Sequence, residues 1–484
     1  MNKLERKIYD SPTIMSWFSN FVRFGSLIFV LPLVLTAYTE LEQSFWFLTS
    51  TIIGFAMLAD SGFGSVLVRA VAYFNAGSEY IPKTKEEYEN KEEITDAKPN
   101  IPKLIDLLTT SNRIYLFLGI LVIIMLSSAG VAFVWNVMEM SGHRFDFWLA
   151  FILLIPYSYF TILTVKWSSF IRGFNFVALE ARLNTITSVG RIILFIVLLL
   201  MKMKPAALVA VMVIEAIVKL WYLKRITLQW FKQQNAVISH AYYFNKDIFW
   251  SIWPATWKLA GIFWGNYLVD SGNSIIIAQI SDARLMSGFL FSTRIVSFIR
   301  TIAQTPFYAN VPALYKFAAQ KRLGELKERS SEYIFLGMLL MTGTCLLIAL
   351  FGNTALSILN TNTRFIEPWL LLLLCLTILL DMHSSFHATI YTSTNHIPFL
   401  IPSIVSGALI TILGFYVLPF YGLLGILLVR FLIQLAFNNW YAMFLSLKLL
   451  NWRWTNYLID VPKLGIQYSI SKAKEFNPAR LLKK

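Results

Sequence analysis

Phe289-Leu-Phe-Ser-Thr-Arg294-Ile-Val-Ser-Phe-Ile-Arg300-Thr-Ile is a mostly apolar run with two arginines inside it. The stretch around it, 283–310, is long enough to cross a bilayer as a helix, for which about 17–25 residues suffice. A fixed charge at such depth is costly, and arginine cannot shed its proton to escape that cost. The run therefore predicts a helical membrane protein organised around a hydrated cavity in which these cations meet an anion.

Composition agrees. Of 484 residues, 57% are hydrophobic and 14% charged, with a mean hydropathy of +0.60, which excludes an ordinary soluble protein. The formal charge of +15 does not imply nucleic acid, because the basic residues lie between apolar spans rather than in one patch. The two cysteines, Cys345 and Cys375, fall inside apolar spans, which gives no disulfide framework and no zinc site. Met1–Asp10 is charged and the apolar run after it is too long for a cleavable signal, so that run is read as the first membrane helix.

The predicted fold class is an all-α polytopic membrane protein. Twelve stretches are apolar and long enough to span: 15–38, 45–74, 114–138, 147–171, 184–201, 205–223, 248–270, 283–310, 334–358, 367–392, 398–418 and 422–447. With the N-terminus inside, cytoplasmic segments carry 28 of the 42 Lys and Arg and the opposite ends carry five, which puts both termini in the cytoplasm.

The expected organisation is a six-helix bundle over 1–223, a cytoplasmic linker over 224–247, a second bundle over 248–447 and a basic cytoplasmic tail over 448–484. The tail mixes Trp452, Trp454 and Tyr457 with basic residues, a composition for anchoring at membrane lipids. A charged insertion at about 79–100 reads as a solvated excursion without a site, and Lys103–Leu108 as an amphipathic turn along the membrane. At an offset of 235, Ser16 to Ser26 aligns with Ser251 to Gly261, superposing Arg23 on Lys258, as a parallel repeat would.

Depth along the helices, at about 1.5 Å per residue, puts Arg23 and Lys258 roughly 12–15 Å in from the cytoplasm, with Arg294 and Arg300 between the inner leaflet and the midplane. These four are the expected substrate-binding set. Asp60, Asp270 and Asp381 are the intramembrane acids, candidates for charge pairing or for a coupling H+ or Na+, and Asp60 is the expected partner of Arg294. Arg69, Lys166 and Lys219 lie near cytoplasmic ends and are expected to snorkel. Glu215 and Lys219 form an i,i+4 pair, whereas Arg191 and Arg430 have no evident partner. His383 and His387 lack a third ligand, so they read as polar residues of the cavity and no metal is expected.

Two stretches resemble a family. Leu58-Ala-Asp60-Ser-Gly62-Phe-Gly64-Ser-Val-Leu-Val-Arg69 is similar to the D-x-G-x-x-x-x-x-x-R pattern of bacterial polysaccharide flippases of the multidrug, oligosaccharidyl-lipid and polysaccharide exporter superfamily. Pro306 to Leu326 resembles that family's Pro-containing exit into a short amphipathic loop helix. The resemblance implies twelve helices in two six-helix bundles forming a V around a central cationic cavity. It further implies alternating-access transfer of undecaprenyl-diphosphate-linked oligosaccharide, as in O-antigen assembly, to the periplasmic face of the inner membrane. Partners would be that lipid-linked substrate, membrane lipids and polysaccharide polymerase machinery, with no cofactor beyond a coupling ion. One alternative is an ion-coupled multidrug exporter of the same superfamily, which Arg23 in the first helix disfavours. Another is an enzyme, a polyprenyl-dependent glycosyltransferase or polymerase using Glu40 and Glu42. The outer loop carrying them is too short for a folded acceptor domain, and no catalytic residues are assigned.

Overall fold

The computed structural model describes residues 10–82, 84–90, 98–131, 135, 138–139, 144–236, 243–277, 283–358 and 364–475. They divide into two compact units, one comprising Met1–Ile81 and Asp96–Trp253, the other Pro82–Thr95 and Pro254–Lys484.

Unit 1 is built from α1 (Pro12–Ala37), α2 (Glu40–Met57), α3 (Phe63–Asn75), α5 (Ile101–Met125), α6 (Phe145–Gly173), α7 (Val177–Leu200), α8 (Pro205–Gln233) and the first residues of α9 (Lys246–Ile277). The helix starts are chemically marked. Ser11 accepts from the Ile14 N–H and Pro12 occupies the first turn of α1. At α2, Thr39 and Glu42 form a reciprocal capping box. Glu42 also receives Lys204 Nζ at 2.7 Å and is 3% exposed, so this acid closes a helix end and pairs a lysine instead of serving an enzyme. One core cluster joins Val30 and Val34 of α1 to Phe195 and Leu199 of α7 and Leu208 and Met212 of α8. Its apolar stripes leave the opposite faces of the helices for lipid.

Unit 2 holds the short α4 (Lys85–Glu89), the rest of α9, α10 (Ala283–Tyr308), α11 (Val311–Ala319), α12 (Leu323–Ile358), α13 (Pro368–Thr392), α14 (Leu400–Ala436), α15 (Asn438–Leu449) and α16 (Trp454–Glu475). Pro306 precedes the short amphipathic α11, which buries Val311, Leu314 and Tyr315. Gly422, at φ 53° and ψ −141°, breaks the helical path of α14 just after Pro419, and Phe437 separates α14 from α15.

Among the described residues, seven helices are long and apolar enough to cross a membrane, or eight if the bent pair Ile52–Asp60 and Phe63–Asn75 counts as one span. The chain is thus an all-α multi-pass membrane protein, and the coarser part of the expected fold class stands. Local details differ from the sequence reading. Lys103–Leu108 lies within α5, where Leu104, Leu107 and Leu108 are buried, so it begins a span instead of lying along the surface. Residues 224–233, expected in the linker, continue α8.

The described part of the insertion is not a free excursion. Tyr88 is 2% exposed and its hydroxyl donates to the Ala318 carbonyl at 3.0 Å. Lys321 donates to the Glu89 carbonyl at 2.6 Å, and Asn395 donates to the Pro82 carbonyl at 2.9 Å. Burial of the Tyr88 phenol pushes its pKa upward, which keeps it a neutral donor. Tyr88→Ala should accelerate protease cleavage of the 82–90 segment by at least about tenfold, the scale of a truncated buried aromatic. Limited proteolysis checks this, and an unchanged rate would count against the docking.

Candidate functional site

Two polar stations stand out, one inside each unit. In unit 1 the chain leaves α2 through a 3-10 turn, Leu58–Asp60, and turns into α3 with Ser61 at φ 43° and Gly62 at φ 84°. A side chain at Gly62 would be strained in that left-handed conformation. The resulting bend is 41°. It leaves α3 starting with open N–H groups inside a membrane span, and Asp60 Oδ2 accepts one of them, from Gly64 at 3.2 Å. Asp60 Oδ1 accepts from the Tyr115 hydroxyl at 2.9 Å. A Cβ on Gly64 would lie 2.7 Å from Val165 of α6, so only glycine permits this approach, which Ser169 secures by donating to the Gly64 carbonyl at 3.0 Å.

Within its own unit, the partners of Asp60 are therefore a phenol and a backbone amide. Arg69 is buried, at 2% exposure, and does not snorkel. Lys166 does not snorkel either, since its ammonium donates to Asn112 at 2.6 Å and sits 4.1 Å from the centre of the Trp167 ring. Arg191, expected to be isolated, binds Glu215 at 2.8 Å, and Glu215 also pairs with Lys219 at 2.7 Å as the spacing predicted.

In unit 2 a cavity of about 300 Å³ opens between α9, α10, α13, α14 and α15. Its polar lining includes Asn266, Arg300, Asp381, Gln434, Asn438 and Asn439. The break at Phe437 creates part of it: Asn438 opens α15, its carbonyl accepts from the Ser384 hydroxyl, and its side chain donates to Gln434 at 2.8 Å. Asp381 accepts from Arg430 at 3.1 Å, so Arg430 is not isolated either. Gly265 lets α9 pass α14 closely, since a Cβ there would meet the Ser403 carbonyl at 2.6 Å.

The four expected cations are treated unevenly. Arg300 lines this cavity and is half-buried, whereas Lys258 is half-buried on α9 outside the lining and Arg294 is exposed on α10. The side chains of Arg23 and Asp270 lie outside the described residues, although both positions are helical. His383 and His387 do not line the cavity. Their Nε2 atoms lie 2.7 Å and 3.0 Å from the Tyr457 hydroxyl of α16. Among the described residues no group of three His, Cys, Asp or Glu is placed to hold a metal. The amides Asn266, Gln434, Asn438 and Asn439 are not among the charges that stand out in the sequence. The signal was available, because all four interrupt apolar spans as the charges do.

No protein-family model matches the chain, and no curated protein matches it. Solved structures do. A MOP superfamily transporter from Pyrococcus furiosus, whose description notes a reversed polarity of the binding pocket, matches with a TM-score of 0.66 at 11% identity over 92% of this chain and 98% of that one. A mutant of the Vibrio cholerae MATE transporter VcmN gives 0.65 at 11% identity, over 92% and 97%. An outward-facing multidrug resistance MATE family transporter of the MOP superfamily gives 0.64 at 10%, over 95% and 98%. The fold matched is that of transporters, not of enzymes.

These matches overturn the polysaccharide-flippase reading. With it go the lipid-linked oligosaccharide, the undecaprenyl diphosphate, the O-antigen and the polymerase partners. The structure supplies the physical reason the motif misled. Asp60 caps an N–H, Gly62 takes a positive φ, Gly64 admits a neighbouring helix and Arg69 is buried, all of which serve a broken membrane helix. That pattern says nothing about a glycan.

Proposed function

We propose that this protein is an ion-coupled exporter of small organic molecules in the bacterial inner membrane. Two six-helix halves, 1–223 and 248–447, form a V and alternate access between the two faces. Both termini and the basic tail after 447 stay in the cytoplasm. H+ or Na+ drives the cycle, with Asp60 as the coupling group of the first half.

The observation that carries the reading is the carboxylate of Asp60 at a helix break inside a span, within a transporter-like fold. Discontinuous helices and intramembrane acids are how transporters build ion sites. Tyr115 and the Gly64 N–H each leave Asp60 with a lone pair to offer a cation or proton.

The test is counterflow of fluorescent small-molecule substrates in proteoliposomes under an imposed pH or Na+ gradient. Asp60→Asn keeps a carboxamide oxygen as acceptor for the Gly64 N–H and turns an NH2 towards the Tyr115 hydroxyl, which can accept from it, but the amide cannot take up a proton. It should lose gradient-driven transport by at least about tenfold, the lower end of what a positioned proton-transfer group contributes in catalysis being larger still. Wild-type rates in the mutant under both gradients would refute the coupling role.

A further inference from the structure

The strongest unexplained feature of the molecule is a mismatch inside the unit 2 cavity. Asn439 is 7% exposed, yet neither its Nδ2 nor its Oδ1 has a partner among the described residues. A buried side-chain amide with both ends unmet is uncommon, because such groups nearly always bond to protein or water. The second feature is charge. Among the described residues, Arg300 and Asp381 are the two charged ones in the lining, and the Asp381 carboxylate is held by Arg430, itself 4% exposed. Arg300 has no ion-pair partner among the described residues, so their part of the lining carries one cation without a counter-charge.

We propose that this cavity binds a small organic monoanion: a carboxylate that meets Arg300, with a neighbouring hydroxyl or amide group that meets Asn439. The inference rests on the exporter reading above and names the class of solute that the second unit takes. Arginine suits a carboxylate because its planar fork donates two parallel hydrogen bonds. Asn439 offers one donor and one acceptor side by side, which a 2-hydroxy or N-acyl acid satisfies and a hydrocarbon does not. Phe263, Tyr308 and Phe399 supply the apolar wall for the rest of the molecule. The volume of about 300 Å³ is at the small end for ligand pockets and suits a small solute. An organic cation of the same size would face Arg300 while the one acid is already paired.

The experiment is binding to purified protein in nanodiscs, by calorimetry, with three probes of matched shape: mandelate, phenylacetate and phenethylammonium. Mandelate should bind, phenylacetate more weakly for want of the hydroxyl, and phenethylammonium least. Arg300→Gln should weaken mandelate at least about tenfold, the scale of a lost charge-assisted hydrogen bond, and Arg300→Lys should weaken it less. Asn439→Ala should abolish the preference for mandelate over phenylacetate. Each variant is first melted without ligand, and Arg300→Lys keeps the charge should the Gln variant fail to fold. Tighter binding of phenethylammonium, equal mandelate binding by Arg300→Gln, or no binding of any anion would overturn the proposal. The two readings fail separately: anion binding without gradient-driven transport removes the exporter reading alone, and gradient-driven transport with cation binding removes the anion site alone.

Discussion

Asp381→Ala is expected to cost about 3–5 kcal/mol of folded stability, the range for breaking a buried ion pair from one side. The Arg430 side chain is 5% exposed and its Nη2 lies 3.1 Å from the Asp381 carboxylate. Removing the acid leaves a buried guanidinium deprived of that carboxylate, and arginine stays protonated there. The loss should appear as a lower melting temperature of the detergent-solubilised protein and a smaller folded fraction by size-exclusion chromatography. Replacing both partners, Asp381→Leu with Arg430→Leu, should recover most of it, because a matched apolar pair carries no buried charge. Single and double variants of equal stability would show that the pair does not hold α13 to α14.

Glu215→Ala has the second large effect, by a related route. Glu215 of α8 is 8% exposed, receives Arg191 of α7 at 2.8 Å and lies 2.7 Å from Lys219. Its removal leaves two cations inside spans with no carboxylate between them. Both retain some exposure, 20% and 19% at their side chains, so partial snorkelling offsets the loss and about 3 kcal/mol is expected. Glu215→Gln, which keeps one acceptor, should fall between wild type and alanine in the same melting assay. A fully stable alanine variant would mean that the two cations reach water unaided.

The contrast among these charges explains what was legible beforehand. Glu215 and Lys219 were paired from spacing alone, because residues four apart share a helix face. Arg191 and Arg430 looked isolated because their acids come from another helix, 24 and 49 residues away. Counting charges can match Asp60 only with another charge. The partners it has, a tyrosine and a backbone N–H, carry no charge for such counting to find. Lys166 sits near a span end, as snorkelling would suggest, yet its side chain points to Asn112 because the rotation of α6 about its own axis aims it inward. The two orphaned atoms of Asn439 carry no charge, so a list of charges does not show them.

The sequence by itself determined that this chain is helical and crosses a membrane many times. Both properties follow from local quantities: the length of apolar runs against the thickness of a bilayer, and the need of every backbone group in lipid for a partner within its own helix. Only the tertiary structure decided which helix faces meet, and therefore which charges neutralise one another, why Asp60 sits at a helix break, and why Arg300 and Asn439 are left facing one small cavity. Those outcomes depend on rotation and approach between helices distant in sequence, set by packing at contacts such as Gly64 and Gly265, which no one-dimensional pattern of apolar and charged residues encodes.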